Sequence, residues 1–172
     1  MPIITCHGVL GINSRKGVTQ VKRIVGAFAE RITPLSSGLF TGASVYINLV
    51  EHPARMQAGT QVALAEFAPS YHRATVTQVS LASAGFLGAL VAWILRSDSR
   101  WLMGGGLLVS VIPFTALAIL PTNKHLLDPQ TANDLELAEI LLTRWGRLHA
   151  VRSVLGLASL LLFLSLHRNE RG

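Results

Sequence analysis

Two sets of polar residues sit inside apolar runs, and they are the residues best able to do chemistry. Ser37, Thr41, Ser44, Asn48 and Glu51 recur at steps of four and three, which lays them along one stripe of a helix. The plain role of the three hydroxyls is packing, because small residues let helices approach and Gly38 and Gly42 lie beside them. Asn48 and Glu51 are costlier to bury, so they are candidates for function as well as for locking helices together. The second set is Trp145, His149 and Arg152, again four and three apart, with Gly156, Ser159 and Phe163 continuing the same face. A neutral imidazole can take a proton near neutral pH, and a guanidinium offers a fixed fork of donors to an oxyanion. The plain alternatives are an interfacial tryptophan and an arginine that snorkels outward. Asn123, in Pro121-Thr122-Asn123, is a third candidate whose plain role is a cap or turn.

The composition says what must hold these residues. Hydrophobic residues make up 50% of the 172 and charged ones only 14%, about half the charge of a soluble domain. Four apolar stretches reach the roughly 20 residues that a bilayer crossing takes. They are Ile32 to Val50, Val76 to Leu95, Trp101 to Leu120 and about Leu148 to Leu166. In hydrocarbon the backbone must bond to itself, so each is a helix. The expected fold is all-α: an integral membrane four-helix bundle over residues 32–166, with a basic amphipathic N-terminal helix in residues 1–31 and a basic tail at 167–172.

In that N-terminal segment Val18, Val21, Val25, Phe28 and Ile32 keep helical spacing, which suits a helix on an anionic membrane surface. A transit peptide is the alternative, since no acidic residue precedes Glu30. Arg96 to Arg100 leaves room only for a tight hairpin between spans two and three. Thr131 to Trp145 reads as an outer helix capped by Thr131 or Asn133. Pro53 should end or kink the first helix at His52, and Pro113 should kink the third. Lys and Arg divide nine to five between the two sides, with Arg152 left inside the fourth span. The richer side holds both termini and is cytoplasmic by the positive-inside tendency.

With that alternation Asn48, Glu51, Asn123, His149 and Arg152 all fall at the outer end of the bundle, at similar depth. One polar pocket there is the economical inference. No metal is expected, because Glu51, His52, His125 and His149 form no paired helical motif, and Cys6 is the single cysteine. The net charge of +6 does not point to nucleic acid, because the basic residues sit at the ends of apolar runs rather than on one face.

The strings Pro113-Phe114-Thr115, Pro121-Thr122-Asn123-Lys124-His125-Leu126 and Leu141-Leu-Thr-Arg-Trp145-Gly-Arg-Leu-His149-Ala-Val-Arg152 resemble the anthrone oxygenase-like membrane family, as does Tyr46-Ile-Asn48-Leu-Val-Glu51-His-Pro53-Ala-Arg55. The likeness runs from about Ile32 to Leu166. It implies a cofactor-independent monooxygenase that oxidises an anthrone-like aromatic or polyketide lipophile to the anthraquinone level with O2. His149 would then be the base, with Glu51 as the competing base. Asn48, Asn123 and Arg152 would hold the enolate oxygen, and Trp145, Tyr46 and Thr115 would contact the substrate. The implied partners are a lipophilic small molecule, O2 and membrane lipid, with a homo-oligomer left open.

The rival reading is a non-catalytic scaffold or lipophile-binding protein in which the same side chains only lock helices. A transporter is weaker, because no inverted repeat or pair of broken helices is visible. An enzyme needs a cavity of at least about 300 Å³ reached by His149, Asn48 and Asn123; a scaffold should have them mutually bonded around no void. The topology is testable by itself. Reporter fusions at Arg15 and Gly172 should score cytoplasmic, and fusions near Gly59 and Pro129 should score outside. A terminus scored outside overturns the orientation.

Overall fold

The computed structural model describes the backbone of residues 9–169 and the side chains of residues 16–166. The first residues of the basic N-terminal segment and most of the basic tail therefore lie outside the described residues. All regular structure among the described residues is helical. Helix α1 (Val9–Tyr46) passes into a π-helical turn (Ile47–Glu51) and then α2 (His52–Gln57). Gly59, with φ +101°, makes the corner into α3 (Thr60–Arg96), a conformation that suits glycine because it has no Cβ. Ser97, left-handed at φ 56°, and Asp98, whose carboxylate accepts the Arg100 N–H, form the hairpin to α4 (Ser99–Val109). Next come α5 (Val111–Phe114), a second π-helical turn (Thr115–Ile119) and α6 (Leu120–Leu126). A 3₁₀ turn (Pro129–Asn133) leads into α7 (Leu135–Asn169).

The long helices form a four-membered ring in which α1 and α4 each pack against both α3 and α7. Three rods are long and apolar enough to cross a membrane: Thr60–Arg96, Ser99–Leu126 and Leu135–Leu166. The first expected span, in α1, is more polar, because its hydroxyl stripe dilutes its apolar residues. That stripe points inward. Thr33, Ser37 and Ser44 are fully buried, whereas Leu35, Leu39 and Leu49 are exposed. The outward apolar girdle, which includes Leu117 and Val154, is the surface that acyl chains cover in a spanning bundle.

Several boundaries differ from the sequence expectation for identifiable reasons. No backbone break separates residue 31 from 32: α1 runs uninterrupted from the amphipathic segment into the bundle, and Val18, Val21 and Phe28 remain exposed along it. The two helices expected in the loops, after Ala58 and after Thr131, are likewise continuous with α3 and α7. Asp134, not Thr131 or Asn133, caps α7 by accepting the Leu137 N–H. Pro53 does not end its helix. A proline lacks an N–H and crowds the carbonyl four residues back, which here is Leu49, inside the π turn. The wider turn absorbs the conflict, and the His52 N–H bonds five residues back to the Ile47 carbonyl. Pro121 repeats the arrangement, with the Leu120 N–H bonded to the Thr115 carbonyl. Pro113 acts as expected: α4 stops at Val109, four residues earlier.

The seams are built from small residues. The Ser37 hydroxyl bonds to that of Ser159, which donates to the Gly104 carbonyl at 2.8 Å, tying α1, α7 and α4 together. A methyl group on Gly104 would lie within 3.0 Å of three ring carbons of Phe163, a fully buried side chain stacked on Trp101. Gly104→Ala should therefore cost about 1–3 kcal/mol through overpacking. Thermal unfolding in detergent reads this directly, and an unchanged midpoint would show that the seam has slack.

Candidate active site

The end of the bundle at which the π turn Ile47–Glu51 joins α2 is closed by an apolar cluster of Ile47, Phe67, Ile119, Leu126, Leu142 and Trp145. Polar side chains from five elements meet inside it. The face expected for α7 is the buried one: Trp145, His149, Gly156, Ser159 and Phe163 all turn inward, with Arg152 partly buried among them.

Asn48 is the junction between α1 and α7. Its Nδ2 donates to the Gly146 carbonyl at 3.1 Å. Its Oδ1 accepts from the Ser153 hydroxyl at 2.7 Å and faces His149 Nδ1 at 2.8 Å. The bond to Gly146 fixes which end of the amide is oxygen, because a flipped amide would set two acceptors against each other. His149 must then carry its proton on Nδ1. In the neutral ring this leaves a lone pair on Nε2, which has no hydrogen-bond partner among the described residues. The ring is 2% exposed and stacks on Trp145, with centroids 4.8 Å apart.

Gly146 is required by this close approach. A Cβ there would run into the His52 ring, which also packs against Trp145 at 5.4 Å. Burial, and after it the neighbouring Arg55, lowers the pKa of His52 against an opposing pull from Glu51. Arg55 is itself buried and pairs with Glu51, whose carboxylate also accepts from the Ser70 hydroxyl at 3.0 Å. Glu51 is therefore engaged by two donors. Arg152 donates to Gln78 Oε1, lies over the Phe40 ring at 5.7 Å and leaves its Nε without a partner. The Ser44 hydroxyl bonds the same Gln78 oxygen at 3.4 Å.

These side chains border one cavity. Glu51, Asn123, Trp145, His149 and Arg152 line it, together with Arg55, Phe67, Ser70, Tyr71 and Gln78. Its free space is about 30 Å³, room for one or two waters and about a tenth of what a drug-sized ligand fills. Asn123 is 1% exposed, yet neither its Nδ2 nor its Oδ1 has a partner. An amide buried in that state costs about 1–3 kcal/mol unless a water or another polar group in the cavity bonds it.

Of the eight sequence candidates, five line this cavity and Asn48 supports it from behind. Thr115 lines a neighbouring groove, and its hydroxyl is bonded to the Val111 carbonyl. Tyr46 stands away from the site, 56% exposed on the outer face of α1. The unforeseen members are Gln78, Ser153, Ser70, Phe67 and Tyr71. Gln78 did carry a signal, as a lone amide in an apolar run. No group of three His, Cys, Asp or Glu side chains suited to a metal occurs among the described residues.

Replacing Asn48 by Ala would leave Nδ1–H of His149 and the Ser153 hydroxyl without their shared acceptor. The loss should be about 1–3 kcal/mol for each buried donor left unsatisfied. Asn48→Ala should unfold at clearly lower temperature than wild type, and Ser153→Ala should show a smaller drop. Equal stability of Asn48→Ala and wild type would remove the clamp from the account.

The anthrone oxygenase family model matches residues 67–162. An anthrone oxygenase from Cryptosporiopsis sp., dmxR16, is 28% identical over 154 residues, covering 85% of each chain. One from Claviceps purpurea is 28% identical over 82% of this chain and 90% of its own. A third, tpcL of Aspergillus fumigatus, is 34% identical over 69% of this chain and 77% of its own. No solved structure matches the chain. The matched region contains Gln78, Asn123, Trp145, His149 and Arg152, the cavity residues of α3, α6 and α7, and the chain belongs to the anthrone oxygenase family.

Proposed function

We propose that this protein is a membrane-embedded oxygenase that converts an anthrone-type lipophile and O2 to the corresponding quinone and water, with His149 as the base. The observation that carries this reading is that His149, bonded through Nδ1 to Asn48, lines one cavity with Asn123 and Arg152, whose Nδ2 and Nε are unpartnered donors. The relatives named as anthrone oxygenases support the same class of substrate.

The chemistry asks little of the protein. An anthrone carries a CH₂ made acidic by its flanking rings and by the ketone across the ring. Nε2 takes one proton, and the enolate oxygen is met by Arg152 and Asn123, whose hydrogen bonds strengthen as charge develops. The electron-rich carbon reduces O2 and bonds to it, and the peroxide anion recovers the proton from Nε2. Removal of the second C–H proton by Nε2 then breaks the O–O bond. The hydroxide leaves with that proton as water, the carbon becomes a carbonyl, and the imidazole is neutral again. Each carbon oxidised consumes one O2, and no step needs a metal or flavin. Glu51 is the weaker base, since Arg55 and Ser70 already occupy it.

The same reading takes the bundle to cross the membrane four times with both termini cytoplasmic, α1 included, because its polar stripe is hidden and its outer face is apolar. The small cavity and the interlocked Asn48, Gly146, His149 and Ser153 favour the second reading, in which this face is a helix lock in a non-catalytic protein.

Oxygen uptake with a hydroxylated anthrone separates the two. His149→Ala should lower turnover by about 10² to 10⁴ while the protein stays folded. Arg152→Lys should also lower it, because a point charge does not replace the planar fork. Glu51→Gln should keep most activity. Near-normal turnover by His149→Ala refutes the base. Loss of folding together with activity in that variant favours the lock.

A further inference from the structure

The polar cavity is too small for three fused rings, so a substrate of that kind must keep most of its surface elsewhere. A second void of about 200 Å³ lies between α3 and the α5–α6 segment. Its walls include Val79, Val111, Ile112, Ala116 and Leu120. It shares Thr75, Gln78 and Arg152 with the polar cavity, so the hydrogen bond from Arg152 to Gln78 stands where the two meet. Val79 and Ala116 are exposed at this flank, and the second π turn, Thr115–Ile119, forms one edge of the groove. Such turns recur at functional sites, where a locally widened helix makes room.

We propose that this groove holds the fused aromatic rings of the substrate, which slide in sideways from the acyl chains. The reacting edge then passes the Gln78–Arg152 pair into the cavity of His149 and Asn123. The occupant is a flat, largely apolar polycycle with an oxygen at one edge. The apolar walls suit its rings, and Arg152, common to both spaces, suits the oxygen. Opening the pair also releases the Arg152 guanidinium from Gln78 as the substrate oxygen arrives to replace it. The inference rests on the oxygenase reading for its substrate class, and its test is separable from that reading.

The test uses the full chain in lipid nanodiscs, with two readouts: equilibrium binding of a hydroxylated anthraquinone, and oxygen uptake with the matching anthrone. Ala116→Trp and Val79→Trp, from opposite walls, should each weaken quinone binding by at least about tenfold and raise KM. Leu117→Trp, one residue along on the outward face and 80% exposed, should bind as wild type. A gentler variant covers the case in which a tryptophan prevents folding. In a chain carrying Cys6→Ser, the quinone should slow labelling of Ala116→Cys by a lipophilic thiol reagent and leave Leu117→Cys labelling unchanged. Wild-type affinity in both groove variants, no protection at position 116, or no quinone binding by the wild type overturns the groove. Quinone binding lost in the groove variants, with no oxygen consumed by wild type, keeps the groove and sinks the oxygenase. Oxygen uptake with unchanged KM in the groove variants does the reverse.

Discussion

The Asn48 side chain is the contact on which the site depends. One amide reaches from the end of α1 to three points on α7: the Gly146 carbonyl, His149 Nδ1 and the Ser153 hydroxyl. In water such bonds would trade almost evenly with solvent. Inside an apolar bundle an unsatisfied amide or imidazole has no such exchange, so the contacts fix position as well as energy. In the proposed mechanism the amide also decides which ring nitrogen is the base. By accepting from Nδ1 it sets the tautomer of His149 and sends the lone pair to the other edge of the ring. Trp145, stacked on the imidazole and itself edge-on to Phe67 at 5.6 Å, holds the plane.

For Asn48 to reach α7, α1 must bulge at that point and then continue into α2, where His52 and Arg55 complete the pocket. The π turn at Ile47–Glu51 supplies the bulge, and Pro53 gives a reason for it. The turn at Thr115–Ile119, followed by Pro121, does the same for Asn123 and at the same time forms one edge of the groove. Asn48, which orients the proposed base, and Asn123 thus each sit in or just after a widened turn ahead of a proline. The charges around them are handled in pairs. Arg55 is neutralised by Glu51, with Glu66 3.6 Å away, while Arg152 bonds the neutral Gln78 oxygen and has no acidic partner among the described residues.

Much of this was legible from spacing. The steps of four and three in Ser37, Thr41, Ser44, Asn48 and in Trp145, His149, Arg152 identify inward faces, because helical periodicity survives in the bundle. The convergence at one end follows from alternating helix directions. Three features were not legible. Tyr46 stands two residues before Asn48, yet it points outward, since positions two apart on a helix differ by about 200°. Pro53 reads as an end or kink, and the third span reads as stopping at Leu120 just before Pro121, because spacing cannot distinguish a helix that stops from one that widens by a residue. Gln78 pairs with Arg152 and Ser44 across the bundle, and local spacing carries no information about which residue on another helix stands opposite.

The tautomer of His149 is the narrowest point of the account, because both the clamp and the base depend on it. Solid-state ¹⁵N NMR of the histidine-labelled protein in lipid, assigned by comparison with His149→Gln, reads the two ring nitrogens separately. The account predicts a protonated Nδ1 coupled to the Asn48 amide oxygen and a bare Nε2 at neutral pH. A proton resident on Nε2, with Nδ1 bare, would contradict it.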